Sequence, residues 1–166
     1  MLYEFGGDSM ATKNEIQEIR LALFGPSASG KTTFLASYFG NQQRNSFEET
    51  HGYRLEADDV SDGNQLLSRY FKMEKGEFPL GTEQFAEYSF GFKVLGMHEA
   101  GLRVVWYDYP GGWWEKTPKD DSEKEARSIA FEKLLTSHVG ILLVDGLRCQ
   151  TEGLPYVRHL FDQFKK

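Results

Sequence analysis

The chain has 166 residues, enough for one domain with a real core and too few for two of ordinary size. Nineteen Lys and Arg stand against twenty-five Asp and Glu, a net charge of −6, which excludes a broad cationic field for a nucleic-acid backbone or an anionic bilayer. Cys149 is alone, excluding an internal disulfide, and the longest aliphatic run, Val139 to Val144, falls far short of the ~20 residues of a spanning helix, so a cytoplasmic protein without a transmembrane segment is expected.

Residues 1–17 lack the basic and apolar regions of a secretion signal and read as a flexible leader, with Met10 a second candidate start. The domain proper is expected over 18–166. In its first segment Ile19, Leu21 and Leu23 share one face while Ala22 and Phe24 form an apolar patch on the other, as in a strand covered on both sides. A helix follows from Gly30 to Phe39, bounded by Gly40.

The turn between them, Gly25-Pro-Ser-Ala-Ser-Gly30-Lys31-Thr32, fits G-x-x-x-x-G-K-[ST] in the strand–loop–helix setting that the motif needs. Successive N–H groups from Gly25 through Ser27, Ala28, Ser29 and Gly30 to Lys31, Thr32 and Thr33 would form a concave anion site at the positive end of the helix. Lys31, expected at the mouth of the loop, would reach the terminal phosphates, and the Thr32 hydroxyl would ligate Mg²⁺. The competing reading is a glycine turn with a solvated lysine, and the flanks and spacing weigh against it.

Residues 41–81 read as a helical insert: Asp62 is placed to cap a helix with Gln65, and Leu66, Leu67, Tyr70, Phe71 and Met73 recur on one face before Gly76. From Tyr88 the period becomes two, with Tyr88, Phe90, Phe92 and Val94 opposite Glu87, Ser89, Gly91 and Lys93. The short link to Leu102–Asp108 is too brief for a parallel crossover and predicts an antiparallel hairpin. Asp108 then ends an apolar strand in Asp108-Tyr-Pro-Gly111, where its carboxylate would serve the Mg²⁺ shell and the Gly111 N–H would meet a γ-phosphate. Thr82, just before the alternating strand in Phe78-Pro-Leu-Gly-Thr82, is placed to give its hydroxyl to the metal and its N–H to the γ-phosphate. Its plainer reading is a cap on the strand.

Ser122 to Ser137 reads as a helix through Ala126, Ile129, Ala130, Leu134 and Leu135, and Val139 to Asp145 as a buried strand. A last helix, Thr151 to Phe164, is expected to bury Leu154, Val157, Phe161 and Phe164. His51, His98, His138 and His159 are scattered, and the pairs Asp58-Asp59 and Asp120-Asp121 read as solvated turns, so none is assigned chemistry. Trp113-Trp114 reads as a local lid on the core before an effector contact.

Phosphate loop, single threonine, antiparallel hairpin and D-x-x-G in this order resemble the Ras-like (TRAFAC-class) P-loop GTPases; most other P-loop folds have an all-parallel core. Asp108-Tyr-Pro-Gly111 with the Phe-Pro-x-Gly-Thr turn and the long insert is similar to the bacterial YcjX-like and double-GTPase families. The resemblance covers about residues 18 to 160. It implies a Ras-like mixed α/β sheet with one antiparallel hairpin strand, helices on both faces and Mg²⁺ and GTP as cofactors. Lys31, Thr82 and Gly111 would carry catalysis, with Thr82 in switch I and Asp108 and Gly111 in switch II; Thr32, Thr82 and Asp108 would form the metal set. The expected partners are GTP and GDP and a protein effector or activator, with no nucleic acid.

Three departures shape the expected function. Gly112 stands where many members carry a catalytic glutamine, with Glu115 or a backbone carbonyl as substitutes, although Glu115 reads first as a solvated loop residue. No arginine directly precedes Thr82 to act as a finger in cis. No Asn/Thr-Lys-x-Asp motif follows Asp145, and four strands (19 to 24, 85 to 95, 102 to 108 and 139 to 145) are counted where a Ras-like sheet has six. A C-terminally incomplete domain is therefore expected, with weak preference for GTP over ATP and a sheet edge open to self-association. The reading is a slow GTPase switch; the alternatives are a nucleotide-sensing scaffold without turnover and an ATP-dependent P-loop enzyme.

Overall fold

The computed structural model describes residues 16–79, 81–97, 100–113 and 116–163. It is an α/β structure around a five-stranded mixed sheet. In chain order the elements are β1 (Gln17–Phe24), α1 (Lys31–Gln42), α2 (Phe47–His51), β2 (Tyr53–Ala57), α3 (Val60–Glu74), β3 (Ala86–Val94) and β4 (Leu102–Asp108). A 3-10 turn at Gly111–Trp113 precedes α4 (Asp121–Leu135), β5 (Val139–Leu142), α5 (Gly146–Glu152) and α6 (Leu154–Gln163). Among the described residues no helix is long and apolar enough to cross a membrane.

The sheet order is β2-β3-β4-β1-β5, with β1 parallel to both β4 and β5. Only β3 runs against its neighbours, pairing antiparallel with β2 and β4. The reversed hairpin strand is therefore present, and its register sets Ala86 beside Asp108 and Tyr88 beside Trp106. β1 follows its alternation: Leu21 and Leu23 join the core under α1 and α3 with Leu35, Phe39, Leu66, Phe90 and Trp106. Ala22 and Phe24 face the opposite layer, with Val105, Tyr107, Tyr109 and Leu134 of α4. Full burial of each such Leu or Phe contributes ~1.5–3 kcal/mol.

Several sequence expectations are corrected. Gln17 belongs to β1, not to the leader, whose first fifteen residues lie outside the described set. The insert over 41–81 is not all helical: it holds β2, so the sheet has five strands where four were counted. In β2 only Leu55 is fully buried, while Arg54 and Glu56 pair with each other on the edge and Lys93 joins them. Charges of this kind blunt an exposed sheet edge. The cap of α3 is Asp59, which accepts from the Ser61 and Asp62 N–H groups, and Asp120 caps α4 in the same way from Glu123 N–H.

The last helix is also two. Gly153, at φ 63°, ends α5, and Pro155 sits in the first turn of α6, where its missing N–H costs nothing. Tyr156 and Leu160 are buried there, whereas Leu154 and Phe161 are exposed; Phe164 lies outside the described residues. On α4 the inward face is Arg127, Ala130 and Leu134, with Ile129 and Leu135 exposed. β5 ends at Leu142, short of Asp145, contains no fully buried residue where a buried strand was expected, and is the last strand on its side of the sheet.

Helix α1 runs past its expected stop because Gly40 is a contact and not a breaker. A Cβ there would lie 2.2 Å from Tyr70 Cγ on α3. The ring cannot swing clear, since the Tyr70 hydroxyl accepts from Arg44 at 2.6 Å and donates to Asn41 Oδ1 at 3.1 Å. Gly40→Ala should therefore cost up to about 2 kcal/mol net in urea unfolding, an overpacking of ~1–3 kcal/mol offset in part by alanine's helix preference of ~1 kcal/mol. Equal or higher stability in the variant would contradict this close packing of α1 on α3.

Candidate functional site

The end of β1 turns into α1 through a loop that only small residues can make. Gly25 has φ 149°, and a Cβ on it would lie 2.6 Å from the Leu143 carbonyl oxygen and 2.5 Å from Ser29 Oγ. Ala28 and Gly30 are left-handed, at φ 60° and 89°; for alanine that conformation costs roughly 1–2 kcal/mol. The helix start carries no side-chain cap, because its N-cap is Gly30. Uncapped N–H groups at the positive end of a twelve-residue helix suit an anion.

Residues 27–33 line a cavity of ≈ 550 Å³, within the range of small-ligand pockets. Phe78, Pro79, Gly81 and Thr82 form one wall, and Val144, Asp145 and Gly146 another. The sequence reading thus placed Ser27, Ala28, Ser29, Gly30, Lys31, Thr32, Thr33, Thr82 and Gly111 on one cavity, and it missed the walls from 78–79 and 144–146. Leu80 lies outside the described residues. Gly25 is outside the cavity lining, and its N–H donates to the Tyr109 hydroxyl at 3.1 Å.

Lys31 is also not at a solvated mouth. It is 5 % exposed, and its ammonium donates to the Gly25 and Pro26 carbonyls, each at 2.9 Å, while lying 5.1 Å from the centre of the Tyr109 ring. The loop folds back on its own cation. Tyr109, with no exposure at all, thus supports the loop through its hydroxyl and the lysine through its ring face. The sequence carried one signal of this: an aromatic residue where a D-x-x-G turn would be expected to meet solvent.

Beside the loop, three oxygens from separate elements converge. Thr32 Oγ1 donates to Asp108 Oδ2 at 2.6 Å, Thr82 Oγ1 reaches the same oxygen at 3.2 Å, and the two threonine hydroxyls are 2.5 Å apart. Asp108 is 1 % exposed, and its other oxygen, Oδ1, has no hydrogen-bond partner among the described residues. Burial raises its pKa above the ordinary carboxylate value; the Thr32 bond, the Lys31 charge, the Thr82 bond and the Arg69 charge oppose that shift. A buried carboxylate with one unpartnered oxygen, two hydroxyls at its side and no ion pair among the described residues is a donor set suited to a hard divalent cation. Among the described residues no three His, Cys, Asp or Glu side chains gather as a metal group, so the oxygen set rests on threonines.

Gly111 closes the site from the far side. A Cβ at this position would lie 2.3 Å from Ser27 N and 2.4 Å from the Pro26 carbonyl carbon, so any larger residue would push the two loops apart. At Gly112 a Cβ meets nothing within 4 Å. The following turn is held by Arg127 of α4, which donates to the Trp113 carbonyl at 2.9 Å and the Lys116 carbonyl at 2.5 Å and pairs with Glu123 at 2.8 Å. Trp113 meets Phe131 edge-on at 6.4 Å, in keeping with a lid on the core. Trp114, Glu115 and His98 lie outside the described residues. Asp145 caps α5, its carboxylate accepting from Leu147 N at 2.9 Å and Arg148 N at 3.1 Å. Neither a protein-family model nor a curated protein sequence matches the chain, so the function is read from the site itself.

Proposed function

We propose that this chain is a P-loop nucleotide switch of Ras-like type that binds Mg·GTP, with ATP as a weaker ligand, and hydrolyses it slowly. The observation that carries the reading is the convergence of Thr32 and Thr82, which line the cavity with residues 27–33, on the buried carboxylate of Asp108 behind them. The mixed sheet, with β3 alone reversed, is compatible with that fold. Backbone N–H groups of 27–33 would take the phosphates, and Lys31 would exchange its two carbonyl partners for phosphate oxygens.

The Thr32 and Thr82 hydroxyls and Asp108 would hold Mg²⁺, which, when bound, neutralises charge on the phosphate oxygens. Thr82 sits in an irregular segment between α3 and β3, a setting that can rearrange when its ligands change. Gly112 offers no side chain to orient a water, in keeping with slow turnover.

Calorimetry with GTP, GDP and ATP, with and without Mg²⁺, tests the reading alongside phosphate release from γ-labelled nucleotide. Mg²⁺-dependent GTP binding with slow release is expected. Binding without release would leave a nucleotide-sensing scaffold, and no binding of any nucleotide would end the proposal. Thr82→Ala should lower triphosphate affinity about tenfold and leave diphosphate affinity unchanged, since its proposed contacts exist only with a γ-phosphate. Equal losses for both nucleotides would make Thr82 a structural cap.

A further inference from the structure

A second cavity, of ≈ 390 Å³, adjoins the phosphate cavity and shares Thr32, Pro79, Gly81 and Thr82 with it. The far wall of the second cavity comes from α3, where Gln65 and Arg69 stand one turn apart. Arg69 Nη1 donates to the hydroxyl of Tyr88 at 3.0 Å, and Tyr88 is itself 4 % exposed at the β3 position paired with Trp106. The hydrogen bond fixes the guanidinium from one side.

Arg69 differs from the other arginines of the insert. Arg54 and Arg44 are each paired with a glutamate, whereas Arg69 makes no ion pair among the described residues. Its remaining guanidinium donors bond no described residue. A partly buried guanidinium with no carboxylate in ion-pair range among the described residues, lining a cavity with two hydroxyls of the phosphate site, is placed to meet an anion. Its positive charge is already felt at Asp108.

We infer that Arg69 is a catalytic residue of the proposed nucleotide site, supplied by the insert helix, and that its guanidinium contacts the terminal phosphate where the two cavities share Thr32 and Thr82. This rests on the nucleotide reading given above. In the reaction, water adds to the γ-phosphorus as the bond from that phosphorus to the β–γ bridging oxygen breaks. The electron pair stays on the diphosphate, one water proton remains on the released phosphate and the other goes to solvent. Arg69 stabilises the charge that builds on the bridging and terminal oxygens, where a fixed cation in a sheltered site acts most strongly. The insert would then be part of the active site, and it would provide the arginine that is missing directly before Thr82.

The test compares the wild type with Arg69→Ala and Arg69→Lys in four readouts: GDP affinity, the gain in GDP affinity on adding aluminium fluoride, single-turnover GTP hydrolysis, and thermal unfolding. Arg69→Ala is expected to keep GDP affinity within about threefold, lose the fluoride gain and slow hydrolysis by ~100-fold. Arg69→Lys should recover no more than about tenfold, because an ammonium lacks the planar fork. Unchanged hydrolysis and an unchanged fluoride gain in Arg69→Ala overturn the inference and leave the nucleotide reading standing. So does a wild type that binds GDP but shows neither hydrolysis nor a fluoride gain. Loss of GDP affinity together with thermal stability in both variants would make Arg69 structural. A wild type that binds no nucleotide removes the nucleotide reading, and Arg69's role with it.

Discussion

Replacing Lys31 with alanine or methionine is expected to reduce affinity for Mg·GTP and Mg·ATP alike by about a thousandfold, or ~4 kcal/mol. Charge-assisted bonds to phosphate contribute ~1.5–3 kcal/mol each, and the ammonium can make more than one of them. The fold should survive for a reason specific to this site. Lys31 is buried with its charge against two carbonyls and an aromatic face, so its removal deletes two hydrogen bonds and also relieves a desolvated cation. Methionine keeps most of the volume above Tyr109 and is the cleaner variant. Calorimetry and thermal unfolding on the same samples separate the two effects, and unchanged affinity for both nucleotides would sink the anion site.

The strands that frame this lysine were legible because each alternates over its whole length between residues that must be buried. Leu21 and Leu23 against Ala22, or Tyr88 and Phe90 against Glu87, leave one register for a strand with a covered face. The convergence of Thr32, Thr82 and Asp108 was legible for another reason: fixed spacing after a strand puts Thr32 one residue into α1, and the hairpin sets Asp108 beside Ala86 at the strand start that follows Thr82. Strand β2 was hidden because its five residues include Arg54 and Glu56, edge charges that break the apolar pattern. The faces of α4 and α6 misled in the same way. Their buried positions include Arg127 and Tyr156, whose polar ends are bonded to backbone, while the apolar Ile129, Leu135, Leu154 and Phe161 point outward. Tyr109 touches Gly25 across 84 residues of sequence and Arg69 touches Tyr88 across 19, and no local periodicity encodes such contacts.

Asp108→Asn should have two opposite effects: a more stable protein without nucleotide and a site that no longer responds to Mg²⁺. The carboxylate is 1 % exposed, its Oδ1 has no partner among the described residues, and burial raises its pKa despite the help of Thr32, Lys31 and Thr82. A carboxyl whose folded pKa lies above its unfolded value favours the fold in full only below the unfolded value, near pH 4, and that contribution is lost as pH rises through the folded pKa. Asparagine stays neutral throughout, so the stability difference between variant and wild type should widen as pH rises through that window. With ~1 kcal/mol recovered at neutral pH, the melting temperature should rise by about 2–4 °C in a chain of this size. The same substitution removes the negative oxygen proposed to face the cation, and Mg²⁺ should then improve GTP affinity less than about threefold, where the wild type gains ~100-fold. Thermal unfolding from pH 4 to pH 8, with GTP titrations in Mg²⁺ and in EDTA, reads both effects. A variant that melts lower than the wild type across this range would show that the Asp108 carboxylate stabilises the fold through Thr32 and Thr82. It would then be a structural acceptor whose burial is already compensated, with no excess charge for a cation to neutralise.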